Sequence, residues 1–195
     1  AASLPFAVRF VAHAQVLDAL RSGEFEYVIL FESSGMYRGE DIVALASQLA
    51  FVRLDAVWGS RRLSIRDVEE AMALRYRHNW WLKTVSHLGS HLLSALYLVL
   101  FGRYISDTLS GARAVRAKYL RGLSVDPALK LANHQLLASL LRDRPEVLEI
   151  PVRFFPISPK RVKRTSVLQG FRAVWEIVVR RLSPAPGATR PEGGA

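Results

Sequence analysis

Residues 27–31 read Tyr-Val-Ile-Leu-Phe, five apolar side chains in a row between two glutamates, Glu26 and Glu32. Side chains of a strand point alternately to opposite faces, so a strand apolar at every position requires a sheet covered on both sides. With the segments around it, this run suggests a layered α/β arrangement with helices flanking a sheet. Its neighbours agree. Residues 6–11 are apolar and β-prone, residues 13–21 are compatible with a helix, and residues 42–49 keep helical apolar spacing. Such alternation predicts a mainly parallel sheet, with the 27–31 strand central in it. The turn Glu32-Ser33-Ser34-Gly35 then falls at the carboxyl end of that strand, where open α/β sheets bind ligands.

Further along, residues 56–58 give a short strand closed by Gly59-Ser60-Arg61-Arg62, and Ser64 with Asp67 has capping-box spacing. An aromatic and basic stretch, residues 75–83 with Trp80 and Trp81, runs into the apolar segment 92–101. A helix lying in lipid headgroups carries such residues, and a helix packed on a sheet would use them equally. Residues 147–155 read as a strand in which Pro151 favours an edge or a bulge. After the basic run 160–164, Val167, Phe171, Val174 and Val178 repeat at helical intervals. The Pro-, Gly- and Ala-rich end predicts one folded domain over residues 1–182 and a disordered tail over 183–195.

The 195 residues, half of them hydrophobic, suffice for one core. Lysine and arginine outnumber aspartate and glutamate 27 to 17, a net charge of +10, which points to anionic partners: phosphate esters, acidic lipid headgroups or nucleic acid. With no cysteine, any metal must sit on oxygen or histidine. No apolar run approaches the roughly 18 residues that a membrane-spanning helix needs. The first residue, Ala1, is not methionine, which raises the expectation of a fragment or processed product.

Four motifs occur in order: the strand and acidic turn of residues 28–41; Asp55-Ala-Val-Trp-Gly59-Ser60-Arg61; Asp107-Thr-Leu-Ser110-Gly111-Ala-Arg113; and Glu149-Ile-Pro-Val-Arg-Phe followed by the basic cluster. Together they resemble the family 2 glycosyltransferases related to dolichol-phosphate mannose synthases and bacterial polyprenyl-phosphate glycosyltransferases. The resemblance implies a GT-A type (Rossmann-like) α/β fold, a mixed, mainly parallel sheet with flanking helices, truncated at its N-terminal, nucleotide-binding part. It implies hexosyl transfer from a nucleotide-sugar to a polyprenyl phosphate, with the domain peripheral at the cytoplasmic face of a membrane. A companion chain would supply what the nucleotide pocket lacks.

It also implies roles for individual residues. Glu32, with Ser34 second, stands where the family holds Mg²⁺ or Mn²⁺, although Glu-Ser-Ser replaces an Asp-X-Asp and leaves a single carboxylate, which weakens the site. Asp107 is the catalytic candidate, orienting an acceptor that is already anionic; alternatively it is a loop carboxylate paired with Arg113. Arg61, Ser110, Arg113, Arg161, Lys163 and Arg164 are candidates for binding donor or acceptor phosphate, and Trp80 and Trp81 for facing the membrane. Gln135 stands where many relatives carry glutamate. His87 and His91 share a helical spacing but have no third ligand near them in sequence. Two rivals stay open: a non-catalytic relative that binds lipid phosphate or a partner, and a nucleic-acid-binding module, against which the lack of any recognisable motif counts.

Overall fold

The computed structural model describes residues 9, 15, 23, 25–32, 34–63, 80–121, 130–155 and 167–183. The elements run β1 (Tyr27–Phe31), α1 (Glu40–Val52), β2 (Ala56–Ser60), α2 (Trp80–Phe101), β3 (Ala112–Arg116), α3 (Ala117–Arg121), α4 (Lys130–Arg142), β4 (Val147–Pro151) and α5 (Val167–Leu182). Apart from Arg9, Gln15 and Ser183, the segments read as a first strand (6–11), a first helix (13–21), the Ser64 cap and the C-terminal tail lie outside the described residues; Ser183, expected to begin the tail, still donates its N–H to the Val179 carbonyl at 2.8 Å at the end of α5.

The described strands form one mixed sheet in the order β1-β3-β2-β4. β3 pairs antiparallel with both β1 and β2, and β2 pairs parallel with β4. The expected mainly parallel sheet is therefore corrected. β1, β2 and β4 share one direction, but β3 is inserted in reverse between two of them, so most pairings become antiparallel. Alternating segment types do not encode this, because the connections decide which way each strand enters. β3 carries no such apolar signal in the sequence: Ala-Arg-Ala-Val-Arg holds two arginines and two alanines, with Val115 its one larger apolar side chain. β1, expected to be central, is an outer strand of the described sheet and is half-buried along its length. β4 takes the other edge and ends at Pro151, as its proline predicts.

The expectation of two covered faces holds. Val28 and Leu30 of β1 join a core of Ala56, Trp58 and Val115 under α2, α4 and α5. Tyr27, Ile29 and Phe31 turn the other way, onto Val57, Ala112 and Ala114 under α1. Across the first face, Leu30, Arg113, Trp58 and Glu149 stand in register, one per strand. Close approach of the strand ends rests on Gly59, where a Cβ would come within 2.6 Å of both the Ala112 carbonyl oxygen and Val152 Cγ1.

The first core also holds a titratable pair. The Tyr97 hydroxyl donates to the His134 carbonyl at 3.2 Å and lies 3.2 Å from His134 Nδ1, with the rings stacked. Burial, reinforced by the positive charge of Arg113, pulls the His134 imidazole down to about 4 from an ordinary 6.5. The folded chain therefore keeps His134 neutral while the unfolded chain takes up a proton. Its contribution is constant above pH 7 and declines as pH falls through 6.5 toward 4, by about 3 kcal/mol in total. Urea unfolding between about pH 7.5 and 4.5 should show this slope in the wild type and lose it in His134→Gln; equal slopes would refute the assignment.

Candidate active site

The site gathers where β1 and β2 end and β3 begins, around the loop of residues 102–111. β1 stops at Phe31, and the next amide, Glu32 N–H, donates to the Gly111 carbonyl at 2.8 Å. In turn Gly111 N–H donates to the Tyr37 hydroxyl at 2.9 Å. A Cβ at Gly111 would lie 2.6 Å from Glu32 Oε2, so the acidic turn packs directly on this glycine. The Glu32 side is open to solvent, whereas Tyr37 is buried, and burial raises its phenol above the ordinary value. Ser34, also exposed, accepts Met36 N–H at 3.3 Å and so shapes the turn.

Arg61 and Asp107 form the centre of the site. Arg61 donates from Nε to Oδ2 at 2.6 Å and from Nη2 to Oδ1 at 2.8 Å, and its backbone N–H adds a third bond to Oδ2 at 3.1 Å. The indole Nε1 of Trp58 donates to the Asp107 carbonyl at 2.8 Å, which fixes the residue from its other side. Burial alone would raise the Asp107 carboxyl; the Arg61 guanidinium overrides it and holds the carboxyl below its ordinary value. A carboxylate bonded at both oxygens and held ionised orients groups around it and is a poor proton acceptor. The pairing expected as an alternative, with Arg113, is replaced by this one with Arg61. Burial acts against the Arg61 charge, and the Asp107 carboxylate more than restores it, raising the guanidinium above its ordinary value. The Phe154 ring packs 5.1 Å from the guanidinium carbon.

A second network fixes the loop. Ser106 donates from its N–H and its hydroxyl to Glu149 Oε1, at 2.9 and 2.7 Å, and accepts from the Ser60 hydroxyl at 2.6 Å. Arg62 ties its backbone N–H to Ser60 Oγ at 3.2 Å and its guanidinium to the Ser106 carbonyl and to Ser90 on α2. Two strand ends, one loop and one helix are thus joined by hydrogen bonds. Tyr37 and Ser106 were missed by sequence reasoning, and no local signal marks them: their partners are 74 and 43 residues away. Glu149 was read only as part of a motif.

The remaining candidates divide. Ser110 is buried, its hydroxyl accepting Ala112 N–H at 3.2 Å, and Arg113 is buried beside it, donating from Nη1 to the Ser110 carbonyl at 2.7 Å. Burial pulls the Arg113 guanidinium down to about 10, against the opposing pull of Tyr37 and Glu32, so it is still a cation at neutral pH. These two stiffen the start of β3 beneath the surface. Gln135 is buried on α4, its Oε1 without a hydrogen-bond partner among the described residues. His91 is exposed, with Nδ1 3.3 Å from the Tyr104 hydroxyl. Arg161, Lys163, Arg164 and the side chains of Trp80, Trp81 and His87 lie outside the described residues.

Among the described residues no three histidine, aspartate or glutamate side chains gather as a metal-binding set. The donors fit a narrower case: Glu32 offers one exposed carboxylate, and Mg²⁺ or Mn²⁺ commonly takes one or two carboxylates and completes its shell with substrate phosphate and water. Compared with protein-family models and with curated proteins, the chain matches none.

Proposed function

We propose that the chain is a family 2 glycosyltransferase domain of GT-A type, moving a hexose from a nucleotide-sugar to a polyprenyl phosphate at the cytoplasmic face of a membrane. The observation that carries this reading is the meeting of three distant motifs at one set of strand ends: Glu32 packed on Gly111, and Arg61 locked to Asp107. Phosphate chemistry supports it. In the transfer, a lipid-phosphate oxygen bonds to the anomeric carbon while the bond to the nucleoside diphosphate breaks, with inversion. The nucleophile is already an anion, so no general base is required, which suits an ionised Asp107 that orients. The negative charge that shifts onto the leaving diphosphate calls for fixed cations nearby. Arg61, with one nitrogen of its fork not engaged by Asp107, would supply one of them, and Arg161, Lys163 and Arg164 remain candidates by sequence. A divalent ion held by Glu32 and the diphosphate would add positive charge at the same place.

One observation favours a second reading, a non-catalytic relative that binds lipid phosphate or a companion chain: the acidic turn offers a single carboxylate. Calorimetric titration with UDP- and GDP-sugars, with and without Mn²⁺, in detergent containing a short polyprenyl phosphate, separates the two. The transferase reading expects nucleotide-sugar binding strengthened by Mn²⁺, with Glu32→Ala weakening the Mn²⁺-dependent part about tenfold, as for loss of one charge-assisted contact. Lipid-phosphate binding with no nucleotide binding under any condition would leave the second reading.

A further inference from the structure

α2 and α5 each carry a row of large apolar side chains facing away from the core. On α2 these are Leu88, Leu92 and Val99, and on α5 Phe171, Trp175 and Leu182, each between 63% and 79% exposed. Both rows follow steps of four and seven residues, so each occupies one helical face. The opposite faces, Leu93 and Tyr97 on α2 and Ala173 and Ile177 on α5, enter the same core over the same side of the sheet. The helices also touch: Arg181 donates to the Leu100 carbonyl at 2.8 Å and its guanidinium lies 5.9 Å from the Phe101 ring. Each helix is thus apolar on two opposite sides, one satisfied by the core and one turned outward. Isolated surface leucines are ordinary, but six large side chains in two rows on adjoining helices mark a docking face.

Charge selects the occupant. Residues 80–101 contain no aspartate or glutamate, and the lone acid of α5, Glu176, is taken by Arg180 at 3.0 Å. The exposed charges along α5 are Arg172 and Arg181. A second copy would set this patch against itself across a two-fold axis, cations facing cations. An anionic bilayer offers the complement on both counts: acyl chains for the apolar rows, and phosphate and carboxylate headgroups for the arginines, with Trp175 at the boundary. We propose that α2 and α5 together form a face that docks on an anionic lipid bilayer, lying along the headgroup boundary without crossing it. No described helix is long and apolar enough to span a membrane. The proposal has the membrane in common with the transfer reaction but rests on the exposed side chains and not on the sugar chemistry.

The test is co-sedimentation of the full chain with phosphatidylcholine vesicles, with and without phosphatidylserine, free of nucleotide and of polyprenyl phosphate. Failure of the transfer reading then leaves this result untouched. Binding is expected to the anionic vesicles and to be at least several-fold weaker to the neutral ones. Leu92→Glu and Trp175→Glu, one on each helix, should each lower the partition coefficient by tenfold or more, since each removes a side chain of substantial transfer energy and adds an anion. Both positions are solvent-exposed, and unchanged urea midpoints would show that the fold is intact; Leu92→Ser and Trp175→Ser serve if a charged variant is not folded. Equal binding by the variants, or no binding to anionic vesicles, would overturn the proposal. So would a dimer in sedimentation velocity that the same substitutions dissociate, which would assign the face to a second copy.

Discussion

Replacing Arg61 by alanine is expected to lower the free energy of unfolding by about 3–5 kcal/mol, the range for breaking a buried ion pair from one side. The loss comes from what stays behind more than from the missing attraction. Asp107 is 5% exposed, and without the guanidinium its carboxylate would retain one backbone N–H from position 61 against the full penalty of burial. Two consequences distinguish this cause from a loss of packing. The deficit should shrink as pH is lowered, because the stranded carboxyl escapes its penalty by taking up a proton, whereas in the wild type Arg61 holds it ionised. The double variant Arg61→Met with Asp107→Leu should recover much of the loss, since replacing both members by apolar groups of similar volume is often neutral. Urea titrations of the wild type, both single variants and the double variant give the coupling directly. A single-variant loss below about 1 kcal/mol, the level of an exposed pair, would show the bond to be solvated and would remove the basis for an orienting Asp107.

Trp58→Ala is expected to destabilise by about 3–5 kcal/mol, as for other buried aromatic truncations. Its indole is fully buried in the core under α2, α4 and α5, lies 5.6 Å from the Arg113 guanidinium, and donates to the Asp107 carbonyl. Trp58→Phe separates these contributions. It retains much of the volume and leaves the Asp107 carbonyl without its donor, at a cost of about 1–3 kcal/mol. Because that carbonyl belongs to the residue gripped by Arg61, the Phe variant should also move the site, and amide exchange at residues 106–111 should speed up before global stability is lost. Protection unchanged in Trp58→Phe would mean that the Arg61 bonds alone hold the loop.

Both experiments address the same arrangement, in which core and site share residues. Trp58 sends its ring into the hydrophobic layer and its N–H to the site. Arg113 lies near the start of β3 and holds the Ser110 turn. Substitutions near the strand ends will therefore combine changes in stability with changes in binding, and measurements of one need the other beside them.

What the sequence determined by itself was local periodicity. The unbroken 27–31 run implied two covered faces, and both are covered; the apolar spacing of 42–49 lies within α1, and Pro151 marked an edge. Arg61 and Asp107 were identifiable as candidates through the motifs containing them. The tertiary structure decided the rest, because the deciding contacts join residues far apart in the chain. The direction of β3, the pairing of Asp107 with Arg61 in place of Arg113, and the anchoring of the loop by Ser106 and Glu149 depend on which strand ends come together. Phe171 shows the same limit within one helix: its spacing marked an apolar row, but only packing showed that Ala173 and Ile177 face the core while Phe171 faces out. Periodicity records that a side chain is apolar; what it is buried against is set when distant segments meet, and a helix apolar on two sides carries no sign of which side the core will take.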